Sequence, residues 1–440
     1  MDNQSTELLE KIRQQFDTGP YPRVPLDYSP KEDVSSLYIH NVLTPDYLRT
    51  QKVRETEGIT ILDAGCGTGY TTLFLAEANP GAKIVGIDLS EQSVKLAKER
   101  LQHHGFKNAE FYALSIEDLT ELGKTFDYIN CHEVLYLLPN PVVGLQAMKS
   151  VLKQEGIIRT NLHSSITRSH MFSAQRLFQL MGLMDDNPRE MEIKAVQEMM
   201  RALRDHVFLK VQTWDEVCER EEQKVLANHL LVGDKGSTIP ELFSALKAAD
   251  LEFIRMVNWR QWELRDLFKD PDDLPAFLGL TLPELSVEER LHLFELLHPI
   301  HRLLDFWCGH PHQAQPIVPI ADWMLSDWQN AKVHLHPQLN TPTTKEKLLR
   351  CITQLNPFAI SRQLPITGQE ILVDSVIAAC LLPLWEEAQS MLSLVKRWQT
   401  LHPVHPVTLE PTGEAEALEI LKYTLMGLES SGYILLERQF

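Results

Sequence analysis

A chain of 440 residues is longer than one ordinary core requires and points to two domains, one of them with an insertion. Hydrophobic residues at 44% and charged residues at 23% exclude wholesale disorder. Sixty acidic against 42 basic residues, a formal charge of −18, weigh against nucleic acid as a partner, and no run of about 18 apolar residues is present to span a membrane.

The first ten residues lack a basic segment followed by an apolar one. The six cysteines (Cys66, Cys131, Cys218, Cys308, Cys351, Cys380) are scattered and form no CxxC pair. Both features lead to the expectation of reduced thiols and a cytoplasmic location. Residues 5–18 place Leu8, Leu9, Ile12 and Phe16 at helical spacing. Gly19-Pro20-Tyr21-Pro22-Arg23-Val24-Pro25 breaks that helix, and weaker helical pattern follows. Residues 1–50 are therefore expected to form a leading segment, or cap, that packs on something else.

From residue 59 strands alternate with helices. A strand at 59–63 runs into glycines and a helix at 71–78. A strand at 83–88 is followed by a helix from 91 to 104, with Ser90 placed as its N-cap. Strands at 110–114 and 126–131, a helix at 142–152 and a strand at 156–162 continue the series. This grammar predicts an α/β fold of right-handed βαβ units, a doubly wound, Rossmann-like parallel sheet. After His163 the alternation stops, and 164–237 reads as a helical insertion in the position of a lid. A helix at 239–249 and a strand at 251–257 return to the sheet, so the sheet domain is expected over 51–260. From Trp259 onward the pattern is mostly helical, with proline-rich joints at 271–275, 311–319 and 337–342. Residues 261–440 are expected to be a mostly α-helical C-terminal domain, and its end, helices followed by a strand at 432–437, suits a winged-helix-like unit.

The strand–glycine–helix junction is Asp63-Ala64-Gly65-Cys66-Gly67-Thr68-Gly69. Such a junction suits a nucleotide-like cofactor, because glycines turn tightly and leave no Cβ in the way. Tyr70 occupies the position where a dinucleotide fingerprint needs Gly or Ala, and the Gly-Lys-Ser/Thr of a phosphate loop is absent. Downstream, Gly86-Ile87-Asp88-Leu89-Ser90 ends the second strand with a carboxylate able to accept hydrogen bonds from two ribose hydroxyls.

These landmarks, ordered over about 58–162, resemble those of the class I S-adenosylmethionine (SAM)-dependent methyltransferases. The resemblance implies SAM as cofactor. It assigns Asp63, Gly65, Cys66, Gly67 and Gly69 to the loop around it, and Asp88 with Leu89 to its ribose. The turn Ser115-Ile116-Glu117 falls at the adenine, with Ser115 standing where the family usually has Asp. Asn130, in Phe126-Asp127-Tyr128-Ile129-Asn130-Cys131-His132-Glu133, falls under the methionine end.

Methyl transfer needs positioning above all, and hydroxyl acceptors often add a proton acceptor. His132, Glu133 and His163 are the catalytic candidates, with a purely structural His132 as the alternative. Asn130-Cys131-His132-Glu133 lacks the prolines of amine-methylating Asp/Asn-Pro-Pro-aromatic sites, which argues against DNA amines. Cys66 and Cys131 fit packing better than nucleophilic roles. His298, His301, Cys308, His310 and His312 offer zinc-like spacing, but the helix-end and proline context leads to the expectation of no metal. The tryptophans Trp259, Trp262, Trp307, Trp323 and Trp328 are expected mainly in cores.

Tyr21-Pro22, the insertion, the stretch 234–253 and the helical C-terminal part are similar to bacterial methyltransferases with a C-terminal regulatory domain, some of which act on protein lysines. Three functions stay open: methylation of a small molecule under the 164–237 lid, methylation of a protein held by the C-terminal domain, and non-catalytic SAM binding. The acceptor and the oligomeric state are not legible.

Overall fold

The structure, a computed structural model, describes residues 3–313, 317–405 and 407–439. Met1 and Asp2 of the leading segment, residues 314–316 of the proline-rich joint at 311–319, and Phe440 at the end of the C-terminal domain lie outside the described residues. The chain divides into two units: Met1–Tyr28, Gly58–Ala76 and Gly81–Gln313 in the first, Ser29–Glu57, Glu77–Pro80 and Ala314–Phe440 in the second. The leading segment is thus shared between units at about residue 28 instead of forming one cap.

The first unit is built on an eight-stranded sheet. Its strands are β1 (Thr60–Ala64), β2 (Lys83–Asp88), β3 (Glu110–Ala113), β4 (Phe126–Cys131), β5 (Leu152–Ser164), β6 (Gly236–Ser237), β7 (Glu252–Met256) and β8 (Leu303–Gly309). They lie in the order β3-β2-β1-β4-β5-β8-β7, with β6 beside the end of β5. The first five are mutually parallel. Parallel strands are covered on both faces, so they are written as near-continuous apolar runs; Ile61, Leu62, Ile87, Ile129 and Ile158 are all fully buried. Helices Tyr70–Ala78, Glu91–His103, Pro141–Ser150 and Ile239–Ala248 connect and cover the strands. The last three have a local cause at their N-termini. Ser90 accepts from the amide of Ser93, Asn140 precedes Pro141 at the first helical position, and Thr238 with Glu241 forms a capping box. The strand order reverses between β1 and β4, which opens a crevice at their carboxyl ends.

Residues 164–237 contain five helices, Ser169–Leu180, Glu190–Ala202, Phe208–Thr213, Glu216–Arg220 and Glu222–Leu226, around a small core of their own that includes Phe178, Val196, Met200 and Val225.

The sheet does not end at residue 260. β8 enters between β5 and β7, antiparallel to both, and carries the first unit to Gln313. Leu303 and Leu304 extend the apolar spacing of the preceding helix Val287–Leu297, and β8 has no β-branched residue, so its sequence reads as helix end and loop. What makes it a strand is its neighbours: Leu304, Phe306, Trp307 and Cys308 are buried, and Asp305 meets Arg159 of β5 through two bonds of 3.2 and 2.7 Å.

The second unit has helices Pro342–Thr353, Ser375–Leu381, Met391–Leu401 and Glu414–Ser430, a hairpin of β10 (Phe358–Ala359) and β11 (Leu372–Val373), and a sheet of β9 (Ala331–Leu335), β12 (Gln389–Ser390) and β13 (Ile434–Arg438) in the order β12-β9-β13. The terminal strand therefore pairs with β9, the first strand of this unit, and not with β12, the strand before it in sequence. The helix Leu43–Thr50 belongs here too: the amide of Leu436 donates to the Tyr47 hydroxyl at 3.0 Å, and that hydroxyl donates to Glu429 at 2.9 Å. No helix among the described residues is long and apolar enough to cross a membrane.

Candidate functional site

The crevice at the carboxyl ends of the parallel strands opens into a cavity of about 690 Å3. Its floor comes from the loops after β1, β2, β3 and β4 and from the end of β5. Three strand spacings separate β2 from β5, about 14 Å. Its walls include Leu9, Ile12 and Phe16 of the helix Asn3–Thr18, the segment Tyr21–Val24, and Gln223, Lys224, Ala227 and Leu231 from the helical insertion.

The glycine loop is shaped by its protein neighbours. Gly67 has φ +50°, and a Cβ there would lie 2.4 Å from the carbonyl oxygen of Tyr21. That carbonyl accepts from the amide of Thr68 at 3.1 Å, while the Thr68 hydroxyl donates to the Pro22 carbonyl at 2.7 Å. Arg100, buried on the helix Glu91–His103, donates to the carbonyls of Thr68, Pro25 and Val24 at 2.9, 2.8 and 2.7 Å. The segment after the first helix is thereby fastened over the loop. Arg100 stands in no recognisable motif; for Tyr21 the hints were the broken-helix signal at 19–25 and the resemblance at Tyr21-Pro22.

Of the expected loop residues, Gly65, Cys66 and Gly67 line the cavity. Asp63, Gly69 and Asn130, expected at the same cofactor site, lie beneath and behind this loop. Asp63 accepts from the Thr72 hydroxyl at 2.6 Å and from the Asn130 amide at 2.8 Å. Both residues are buried in the sheet, where they tie β1 to β4 beneath the loop. Gly69 lies behind the loop, where a Cβ would come within 2.7 Å of the Ala97 Cα. Burial raises the Cys66 thiol well above its ordinary pKa and pushes Cys131 to about 12, which fits packing and not nucleophilic chemistry.

Asp88 and Leu89 both line the cavity. Asp88 accepts from the amide of Gly67 through Oδ2 and from that of Ser90 through Oδ1, each at 2.9 Å. Burial nevertheless lifts its pKa to about 6, with the two amides pulling the other way. Ser115 and Ile116 line the cavity, whereas Glu117 does not: its amide is spent on the Ser115 hydroxyl at 3.3 Å. The residues fit SAM by chemistry. A backbone cradle, a carboxylate with a lone pair left on each oxygen, apolar Leu89, Leu114 and Ile116, and the Ser115 hydroxyl border the same space.

Near the ends of β4 and β5 the cavity meets His132, Glu133, Tyr136 and His163, together with Arg302 from the residue before β8. Glu133 has φ +60°, and its amide donates to Asn161 at 2.9 Å. Its carboxylate pairs with Arg302 and accepts from the Tyr136 hydroxyl at 3.3 Å. Burial opposes the charge, but Arg302 wins and holds the Glu133 pKa at about 2. Glu133, a candidate base from its sequence position, is thus engaged here as the partner of Arg302. His132 is kept neutral by burial and by the charge of Arg159. His163 bonds Asp234 through Nδ1 at 2.6 Å and Arg302 through Nε2 at 3.0 Å, and its ring stacks on Tyr136 at 3.7 Å.

Among the described residues no three His, Cys, Asp or Glu side chains gather as a metal site. His301 stacks on Trp262, His310 bonds the Leu152 carbonyl, and Cys308 is buried in β8. Trp262, Trp307, Trp323 and Trp328 are core residues.

Residues 55–235 match a family model described as a methyltransferase domain. An uncharacterized protein of Synechococcus sp. is 29% identical over 278 residues, 61% of this chain and 63% of that protein. A ubiquinone biosynthesis O-methyltransferase of Actinobacillus pleuropneumoniae is 29% identical over 136 residues, 30% of this chain and 56% of the enzyme. The chain thus covers less than two thirds of either relative. Among solved structures, PKMT2 from Rickettsia typhi matches 93% of this chain and 77% of its own with a TM-score of 0.59 at 16% identity, a likeness of fold. The same protein in complex with AdoHcy matches 96% and 78% with a TM-score of 0.55 at 18% identity. Residues 55–235 are thus a methyltransferase domain, laid out on a β3-β2-β1-β4-β5 sheet with a cavity at the reversal of strand order.

Proposed function

We propose that this chain is a SAM-dependent methyltransferase acting on a small-molecule acceptor enclosed within the first unit. The observation that carries the reading is the single cavity that runs from the glycine loop and Asp88 to His132, His163 and Arg302 under the helix Asn3–Thr18 and the insertion. SAM supplies an electrophilic methyl on a sulfonium, and the chain's part is to bind, orient and exclude water. In this reading Asp88 accepts from the ribose hydroxyls, and the backbone of Gly65, Cys66 and Gly67 cradles the cofactor. Leu89 and Ile116 flank the adenine, and the Ser115 hydroxyl offers it a polar contact. Asp63, Gly69, Glu117 and Asn130 support these groups from behind. His132 borders the acceptor as a neutral imidazole.

A protein acceptor is the second reading. Exposed apolar side chains on the insertion, Met191 at 75% and Phe208 at 64%, favour it. Six free thiols, five of them buried, support a reducing, cytoplasmic setting. The test is methyl transfer from labelled SAM into a lysate separated into protein and small-molecule fractions. Label in the small-molecule fraction is expected. Label confined to protein would replace this reading by the second, and SAM binding without any transfer would leave a non-catalytic SAM-binding protein.

A further inference from the structure

Positioning alone does not require the chain of charged groups at the β5 end of the cavity. Asp234 has no exposed side-chain surface. Burial works against its charge, yet hydrogen bonds from His163, Arg168 and Gln175 hold its pKa at about 2. An ionised Asp234 oxygen 2.6 Å from His163 Nδ1 places the ring proton on that nitrogen. Nε2 is then the lone-pair nitrogen, and it accepts from Arg302 Nη1 at 3.0 Å. Tyr136 stacked against the ring fixes its plane. His163 and Arg302 both border the cavity, and about half of the Arg302 side chain is exposed.

We propose, building on the SAM reading above, that this group receives an acidic hydroxyl, phenolic or enolic, carried on an apolar body, with His163 Nε2 as its base and Arg302 as the partner of its oxygen. The hydroxyl enters between Arg302 and Nε2. Its oxygen accepts the hydrogen bond that Arg302 gives to the ring, and its proton passes to Nε2. As an oxygen lone pair forms the bond to the methyl carbon, the carbon–sulfur bond breaks and its electron pair stays on sulfur. A methyl ether, a neutral thioether and an imidazolium remain. Asp234 stabilises the imidazolium until its proton passes to water.

The same geometry disfavours an alkylammonium acceptor. That cation would meet the guanidinium of Arg302, and the nearby carboxylates are already engaged: Glu133 by Arg302 and Tyr136, Asp234 by His163, Arg168 and Gln175. The apolar body has its place too. Leu9, Ile12, Val134, Leu137, Leu138 and Leu231 border the cavity. Ile12 Cδ1 and the Leu137 carbonyl both lie within 3.3 Å of where a Cβ on Gly233, the neighbour of Asp234, would sit.

The test uses 4-nitrocatechol, whose anion absorbs at longer wavelength than its neutral form, titrated into the full chain saturated with S-adenosylhomocysteine. The wild type is expected to bind the probe as its anion at a pH where the free probe is mostly neutral. Arg302→Ala is expected to weaken that binding about tenfold or more while S-adenosylhomocysteine affinity is unchanged. His163→Gln, a buried position, is checked by its melting curve and is expected to lose methyl transfer to the probe. A probe bound in neutral form, or bound equally by Arg302→Ala, overturns the proposal. So does methylation of a lysine ε-amine in a peptide with the probe untouched, which leaves the SAM reading standing. A wild type that binds no S-adenosylhomocysteine overturns the SAM reading itself.

Discussion

The amide of Gly67 donates to Oδ2 of Asp88 at 2.9 Å, so the carboxylate that ends β2 is fastened to the loop that follows β1. Ser90 holds the other oxygen at the same distance. The loop and the carboxylate therefore form one preorganised element. A ligand with two hydroxyl donors completes it without rearranging it.

The pH dependence follows from Asp88. Its folded pKa of about 6 lies above the ordinary carboxylate value near 3.9, because burial outweighs the two amides. The native chain takes up a proton between about pH 6 and pH 4 that the unfolded chain does not. This group thus costs the ligand-free protein stability above pH 6, and the cost fades as pH falls through that window. SAM binding runs the other way, since ribose hydroxyls need the charged carboxylate, and affinity is expected to fall below about pH 6. Calorimetry at pH 5, 6 and 7.5 checks it, with Asp88→Asn expected to flatten the profile.

Gly67→Ala places a methyl group against the Tyr21 carbonyl at a left-handed backbone position. A loss of about 2 to 4 kcal/mol is expected from strain and overpacking together. Trypsin cleavage after Arg23 should accelerate as the covering segment lifts. An unchanged melting curve and cleavage rate would show that the segment is held elsewhere.

Arg100→Met removes three donors from three backbone carbonyls while keeping most of the side chain's volume. A loss of about 3 kcal/mol is expected, since hydrogen bonds to charged groups are worth about 1.5 to 3 kcal/mol each and the freed carbonyls recover part of this from water. Hydrogen exchange at residues 19–25 should rise and SAM affinity should drop. Faster exchange spread evenly over the chain would point to general destabilisation.

Glu133 titrates at about 2, below the ordinary value near 4.3, so its ion pair with Arg302 stabilises the protein fully above that ordinary value. That stability is lost as pH falls from about 4 to about 2. Glu133→Gln is expected to lower the melting temperature at pH 7 and to reduce its fall between pH 4 and pH 2. If it also moved the acidic limb of the rate profile near neutral pH, Glu133 would be a proton acceptor after all.

The parallel half of the sheet was legible because buried strands such as Ile84-Val85-Gly86-Ile87 leave an unbroken apolar run bounded by turns and caps. β8 was not, since Leu303-Leu304 continues a helical spacing and only β5 and β7 on either side make it a strand. At the site, glycine spacing and Asp88 were readable, but a motif does not say which of its members face a ligand. Asp63 and Asn130 turned out to bond each other. His163 was recognisable by type and position. Its tautomer was not, because it is set by Asp234, 71 residues away, and Arg302, 139 residues away.

The most direct test is a calorimetric titration of SAM into the purified chain beside Asp88→Ala. One site per chain is expected in the wild type, with affinity about 100-fold weaker in the variant, matching the loss of hydrogen bonds to a charged group. No saturable binding, or equal affinity in the two proteins, would contradict the assignment of this loop and carboxylate to SAM.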